Sequence, residues 1–124
     1  MNKTLLETGV KRTYYDKEKL KLKEECFLIN GNIEGIYKLY YENGKLFLET
    51  NFINGKQFGI SKSYYENGKI QTEENYKDDK KEGKQKLYFS DGQLRMIIIY
   101  INDKQIKKYK SYSEKHNKKI NLLY

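Results

Sequence analysis

Hydrophobic and polar residues alternate over short stretches of this chain, and a period of two is typical of β-strands with one buried face. Around Tyr37, Leu39 and Tyr41 every second residue is aromatic or aliphatic, whereas no stretch has a helical period. The pattern predicts about ten short strands, the stronger ones at 36–41, 46–52, 60–65, 70–76, 84–89 and 94–101, and the weaker ones at 10–15, 20–28, 107–112 and 119–124.

A unit of 24 residues repeats along the chain and sets this pattern. The segments YYENGKL (40–46), YYENGKI (64–70) and YFSDGQL (88–94) follow one another at that step. A second set of turn residues keeps the same phase at Asn30-Gly31, Asn54-Gly55, Asp78-Asp79 and Asn102-Asp103. Two sets of turn residues in phase indicate a tandem structural repeat.

The repeat divides the single predicted domain, 1–124, into three parts. Residues 30–101 hold the strong copies. Residues 1–29 hold a degenerate first copy with a two-residue insertion, because Tyr14 and Tyr15 precede their equivalents by 26 residues. The glycine signatures are lost in 102–124, which predicts a C-terminal cap, since end copies of repeat arrays are atypical.

Each copy is predicted to be a β-hairpin, because Asn-Gly between aromatic and aliphatic runs is the sequence that type I′ turns favour. If Asn43-Gly44 is a two-residue loop, the cross-strand pairs are Tyr41 with Leu46, Tyr40 with Phe47, Leu39 with Leu48 and Lys38 with Glu49. The predicted fold class is therefore all-β: tandem β-hairpins in an antiparallel meander that forms an elongated single-layer sheet.

Alternation assigns the residues of the hairpins to two faces. The predicted buried face carries Tyr37, Leu39, Tyr41, Leu46, Leu48 and Phe52 in one copy, and Leu87, Phe89, Leu94, Met96, Ile98 and Tyr100 in another. The other face carries a basic column, Arg12, Lys38, Lys62, Lys86 and Lys110, beside a tyrosine column, Tyr14, Tyr40, Tyr64, Tyr88 and Tyr112.

These two columns allow two interpretations. In the first they stabilise a solvated sheet face, because Lys38 and Lys62 lie opposite acids and such pairs contribute about 0.2–1 kcal/mol each. In the second they are a contact surface, since aromatic and cationic side chains repeated along a solenoid form an extended recognition strip.

The last strong copy departs from the pattern, because Ile97 takes the place of the acid and Ile99 and Ile101 follow on the same face. Lys86 is then predicted to have no carboxylate opposite it. The three isoleucines predict either an interaction patch or a surface that the C-terminal segment covers.

Composition limits the function classes. The chain is 37% hydrophobic and 34% charged, which disfavours a deep core, and its formal charge of +8 favours contact with nucleic acid, acidic proteins or lipid headgroups. Cys26 and His116 are the only cysteine and histidine, so neither a disulfide nor a zinc-finger site is expected. We predict no catalytic residues, no cofactor, no metal site and no small-molecule substrate.

No apolar run resembles a signal peptide or a membrane span, so the sequence predicts a cytoplasmic protein.

The repeated YYENGKL segment, followed by a glutamate, an aromatic residue and Asn-Gly-Lys with a nearby glycine, resembles the MORN-repeat variant typical of YwqK-family antitoxins. The resemblance implies a curved meander of stacked hairpins that serves as a binding scaffold without catalytic residues. It also implies either an antitoxin or immunity role, in which a protein partner is sequestered, or a role in contact with membranes and phosphoinositides and in protein assembly.

The leading hypothesis is a non-enzymatic protein-interaction module that acts as an antitoxin or immunity protein. The alternative is binding of anionic lipid or nucleic acid through the basic, tyrosine-rich face. A monomer or an edge-paired dimer is expected, since the sheet has open edges. The predicted partner-binding residues are Tyr40, Tyr64, Tyr88, Tyr112, Lys38, Lys62, Lys86, Ile97 and Ile99.

Overall fold

The computed structural model describes residues 6–111 and 120–122. These residues contain thirteen β-strands and no helix. The strands are β1 (Gly9–Tyr14), β2 (Leu22–Ile29), β3 (Asn32–Ile33), β4 (Gly35–Tyr40), β5 (Leu46–Ile53), β6 (Lys56–Gln57), β7 (Gly59–Tyr64), β8 (Ile70–Lys77), β9 (Lys80–Lys81), β10 (Gly83–Tyr88), β11 (Leu94–Ile101), β12 (Lys104–Ser111) and β13 (Ile120–Leu122).

All of these strands belong to one open antiparallel sheet with the order β1-β2-β4-β5-β7-β8-β10-β11-β12-β13, and β3, β6 and β9 pair with β2, β5 and β8. The predicted all-β meander of hairpins is confirmed, with most strand ends within two residues of the prediction. The three two-residue strands were not predicted, and strand positions 112, 119, 123 and 124 lie outside the described residues.

One margin of the sheet is formed by two-residue type I′ turns, which carry the second set of turn signals. Asn54 and Gly55 have φ angles of 50° and 79°, and Asp78 and Asp79 have 48° and 67°. Both central positions are thus left-handed, as the type I′ turn requires. The strands after the first three of these turns, β3, β6 and β9, run for two residues, and a glycine with positive φ follows each of them, such as Gly59.

The opposite margin is built differently, and the prediction of a two-residue loop at Asn43-Gly44 was wrong. The Tyr41 N–H donates to the Lys45 carbonyl at 2.8 Å, and the Gly44 N–H donates to the Tyr41 carbonyl at 2.9 Å. The loop therefore spans three residues, 42–44, and of its Asn-Gly pair only Gly44 has positive φ, at 88°. Asn43 instead accepts the Lys45 N–H on its side-chain oxygen at 2.9 Å.

The longer loop changes the register beside it. Tyr40 lies opposite Leu46 and not Phe47, because an irregularity of the β-bulge kind follows Leu39. Beyond the bulge the predicted pairs Leu39 with Leu48 and Lys38 with Glu49 are confirmed. The same irregularity recurs at Tyr64 and Tyr88.

The inner face, defined by Leu39 and the residues in register with it, holds all of the buried side chains among the described residues: Cys26, Leu28, Thr50, Ser61, Ser63, Gln85 and Met96. Several predicted core residues, including Tyr37, Leu39 and Leu48, are only half-buried, because a single layer has no second layer to cover them. Three of the buried side chains, Thr50, Ser61 and Ser63, are small and polar, and the hydroxyls of Ser63 and Thr72 lie 2.6 Å apart.

Buried Gln85 closes a gap between neighbouring repeats. β8 and β10 pair through two residues each, at Glu73–Lys86 and Thr72–Leu87. Farther along, the Gln85 side chain accepts the Asn75 N–H at 3.0 Å and donates to the Asn75 carbonyl at 3.2 Å. Its amide thus satisfies backbone groups where the two strands diverge.

Candidate functional site

A row of alternating charges crosses the outer face, the face opposite Leu39. Register places its seven members side by side on successive strands: Arg12, Glu25, Lys38, Glu49, Lys62, Glu73 and Lys86. Each of the five residues between the two ends of the row has a residue of opposite charge on both sides. With strands about 4.8 Å apart, this charge row is about 29 Å long.

The charge row corrects the prediction for Lys86. Its partner within the hairpin is Ile97, as predicted, but Glu73 of β8 lies opposite it on the other side. The sequence prediction considered pairs within a hairpin and left out pairs between hairpins. At the other end Arg12 donates to Glu25 at 2.7 Å, and this hydrogen bond raises the pKa of the Arg12 guanidinium.

Three tyrosines of the tyrosine column lie on the outer face, and their backbone carbonyls accept hydrogen bonds from other tyrosines. Tyr40, Tyr64 and Tyr88 are half-buried and occupy outer-face positions two residues after the lysines of the charge row. Their carbonyls accept the hydroxyls of Tyr15, Tyr41 and Tyr65, each at 2.6 Å. The predicted fourth member, Tyr112, lies outside the described residues.

The isoleucines of β11 continue the outer face beyond the charge row. Ile97 and Ile99 are half-buried, whereas Ile101 is 53% exposed. The next strand, β12, lies beside them in the same sheet, with Tyr109 opposite Ile97 and Lys107 opposite Ile99. The described part of the C-terminal segment therefore extends the face.

An apolar patch occupies the N-terminal half of the outer face, and the sequence analysis missed it. Its members, Val10, Phe27, Ile29, Ile36, Ile53 and Ile60, are all more than 40% exposed. Ile36 and Ile60 line a shallow concavity of about 380 Å³ beside Glu49 and Lys62 of the charge row. The signal was present in the repeat, because Ile36 and Ile60, like Ile29 and Ile53, recur at the repeat step.

A lysine cluster occupies the C-terminal half of the same face, and the sequence analysis did not group its members. We define it as Lys77, Lys80, Lys84, Lys104 and Lys107, all of them exposed. Lys84 and Lys107 flank Ile99 in register, Lys104 lies opposite Ile101, and Lys77 lies opposite Lys80. The outer face thus changes from apolar to basic along the order of the strands.

Metal binding and thiol chemistry depend on the cysteine and acidic side chains in the part of the chain described. There, no three histidine, cysteine, aspartate or glutamate side chains converge so as to hold a metal ion. Burial raises the pKa of the Cys26 thiol, which weakens it as a nucleophile. In residues 6–111 and 120–122 no helix is long and apolar enough to cross a bilayer.

A single sheet of stacked hairpins with extended surfaces defines a tandem β-hairpin repeat. Comparison with known families identifies it further. The MORN repeat variant matches three segments, 33–54, 59–78 and 81–102, which together cover about half of the chain. The protein belongs to this family, whose repeats are non-catalytic modules that bind proteins or membranes.

A comparison with curated proteins finds no match. The β1–β2 hairpin lies outside the three matched segments but joins the sheet by the same contact as the others, because the Tyr15 hydroxyl donates to the Tyr40 carbonyl.

Proposed function

We propose that this protein is a non-catalytic interaction module that sequesters a protein partner on its outer face, in the role of an antitoxin or immunity protein. The observation that carries the proposal is the exposed apolar patch, in which Val10, Ile36 and Ile60 are 58%, 55% and 51% exposed. Contiguous exposed apolar side chains bordered by charges mark protein interaction sites.

The charge row favours a protein partner over a phosphate-rich one. Its carboxylates Glu25, Glu49 and Glu73 alternate with the cations and would repel a nucleic acid backbone or an anionic bilayer. A protein can meet an alternating row with complementary charges, which gives specificity as well as attraction. We assign Tyr40, Tyr64, Tyr88, Lys38, Lys62, Lys86, Ile97 and Ile99 to the same contact surface.

The antitoxin role draws on the resemblance of the repeat segment to YwqK-family antitoxins. An antitoxin of this kind acts by occupying its target, so it needs an extended surface and no catalytic group. The outer face provides such a surface on a scaffold of paired strands.

The experiment is affinity capture from a lysate of the source cells, with Ile36→Ser/Ile60→Ser compared with the wild type. We expect one stoichiometric protein to be retained at high salt by the wild type and to be lost by the double variant. Leu20→Ser is the matched control, because Leu20 is 82% exposed in the β1–β2 loop and outside the patch. Expressed alone, the captured protein should arrest growth, and co-expression of the wild type should restore it.

Three results would contradict the proposal: unchanged capture by the double variant, equal loss in the Leu20 control, or a captured protein without effect on growth. The first two results would exclude the outer face as the contact surface, and the third would exclude the antitoxin role alone.

The lysine cluster favours a second candidate function, the binding of anionic lipid or nucleic acid. That function predicts recovery of lipid or nucleic acid, and affinity that falls steeply as salt rises, because release of counterions drives such binding. Recovery of a salt-labile nucleic acid or lipid without a protein would favour it.

A further inference from the structure

The lysine cluster is a local departure from a scaffold that otherwise repeats. The outer-face positions that hold Ile29, Ile53 and Ile101 in three copies hold Lys77 in the fourth. Likewise, Ile36 and Ile60 correspond to Lys84. Because the backbone is the same with isoleucine at these positions, folding does not require the lysines.

The cluster is also electrostatically unfavourable within the protein alone. Lys77 and Lys80 lie directly opposite each other, and like charges in that arrangement destabilise a sheet. At the equivalent place in the preceding repeat, Ile53 lies opposite Lys56. The replacement of isoleucine by Lys77 therefore introduces a repulsion that the other copies avoid.

Asp78 lies in the turn between Lys77 and Lys80, and three other carboxylates close to the cluster in sequence accept backbone N–H groups. Asp79 accepts the Gln57 N–H, Asp103 accepts the Lys81 N–H and Glu82 accepts the Asn102 N–H, each at 2.7 Å. None of the five ammonium groups of the cluster lies within 4.0 Å of a carboxylate among the described residues. Their charge is thus available to a ligand.

From these observations we infer that the lysine cluster binds an acidic segment of a protein, and that the same partner places apolar side chains on the apolar patch. This inference rests on the proposed function, since it names the chemistry of the sequestered partner. Lys84 and Lys107 are two strands apart, so carboxylates about 10 Å apart would reach both.

Charge complementarity favours an acidic protein segment over a polyphosphate surface. A strand or helix that carries separated carboxylates can reach the cluster and still accommodate Glu73 and the apolar patch on the same face. A bilayer or a nucleic acid backbone presents continuous negative charge, which Glu25, Glu49 and Glu73 oppose.

The test uses the purified full chain and a short labelled peptide rich in glutamate and leucine, with binding followed by fluorescence anisotropy. We expect the wild type to bind this peptide and not to bind a version with glutamine in place of glutamate. Lys77→Gln/Lys80→Gln/Lys84→Gln should weaken binding by about tenfold, since each exposed pair contributes modestly. Lys17→Gln/Lys19→Gln/Lys45→Gln removes the same charge from exposed loop sites and should keep the affinity.

A charge exchange provides the complementary measurement. The variant Lys77→Glu/Lys84→Glu should no longer bind the acidic peptide and should bind a peptide in which lysine replaces glutamate. Equal weakening by the two triple variants, or no gain in the exchange, would overturn the inference, as bulk charge would then explain the binding.

Phosphatidylserine vesicles and single-stranded DNA are tested in parallel. Binding of either that depends on Lys77, Lys80 and Lys84, with no binding of the peptide, would also overturn the inference. Failure of the proposed function has a different signature: capture of the cellular partner would not respond to Ile36→Ser/Ile60→Ser, whatever the peptide does.

Discussion

Aspartate replaces glycine at the second position of the type I′ turn in two copies, and each aspartate contributes what a glycine cannot. Asp79 and Asp103 have left-handed φ angles of 67° and 69°. This conformation costs most residues about 1–2 kcal/mol, although aspartate tolerates it better than most. In return, each carboxylate accepts a backbone N–H of the preceding repeat at 2.7 Å. Loss of the second glycine therefore leaves the turn intact.

This arrangement predicts an order among variants of Asp79. Asp79→Ala loses the hydrogen bond from Gln57 and keeps a strained φ angle, so we expect the free energy of unfolding to fall by about 2 kcal/mol. Asp79→Gly loses only the hydrogen bond and should cost about 1 kcal/mol. Urea unfolding measures both changes. Asp79→Asn keeps an acceptor oxygen and should be nearly neutral, so an asparagine variant as unstable as the alanine variant would refute this explanation.

At the scale of strands and hairpins, a ladder of tyrosine hydroxyls links each hairpin to the next. The second tyrosine of the Tyr-Tyr pair reaches across to the first tyrosine of the following copy, as Tyr41 does with Tyr64 and Tyr65 does with Tyr88. Strand pairing between hairpins is short, with two residue pairs at β5–β7. The hydroxyls therefore supplement a contact between hairpins that has few backbone hydrogen bonds.

Removal of one hydroxyl should weaken that contact measurably. We expect Tyr65→Phe to lower the free energy of unfolding by about 1 kcal/mol, because the Tyr88 carbonyl loses its donor. Tyr64→Phe is the matched control: its hydroxyl has no hydrogen bond to a described residue, so the change should stay below about 0.5 kcal/mol. Equal effects of the two variants in chemical denaturation would show that the ladder does not link the repeats.

The sequence predicted the strands well, because alternation and the repeat step are direct records of backbone geometry. It failed at Asn43-Gly44 because the same dipeptide fits both a two-residue turn and a three-residue loop. The contact that decides between them, from the Lys45 N–H to the Asn43 side chain, is not visible in a pattern. Buried Gln85 was missed for a related reason: its partner Asn75 belongs to another hairpin.

The candidate site was predicted in part. Periodicity identified the columns that hold Lys38, Lys62, Tyr40 and Tyr64, since these recur at the repeat step. The lysine cluster depends on register across three strands, because Lys84 lies opposite Ile99 within one hairpin and Lys107 lies opposite Ile99 on the next strand. Comparison of the copies identifies the residues that they share, whereas the lysine cluster is formed by residues that differ between copies.

At the scale of the whole molecule, the outer face combines two surfaces that affect the stability of the folded protein differently. The apolar patch repeats residues common to several copies, whereas the lysine cluster adds positive charge to a chain with a formal charge of +8. Excess charge of one sign destabilises a folded protein by self-repulsion, and salt screens that repulsion. The cluster should therefore lower stability in the free protein, as expected for a surface that is selected for binding.

Lys77→Gln tests this trade-off between stability and binding. Removal of one member of the Lys77–Lys80 pair should raise the free energy of unfolding by about 0.5 kcal/mol at low salt, and the gain should shrink as salt screens the repulsion. Lys56→Gln is the control, because Lys56 lies opposite Ile53 at the equivalent place. A gain that does not depend on salt, or an equal gain in the control, would show that the pair does not repel. A variant that is more stable and yet binds the acidic peptide less tightly cannot owe its weaker binding to misfolding, so this measurement also supports the interpretation of the triple variant.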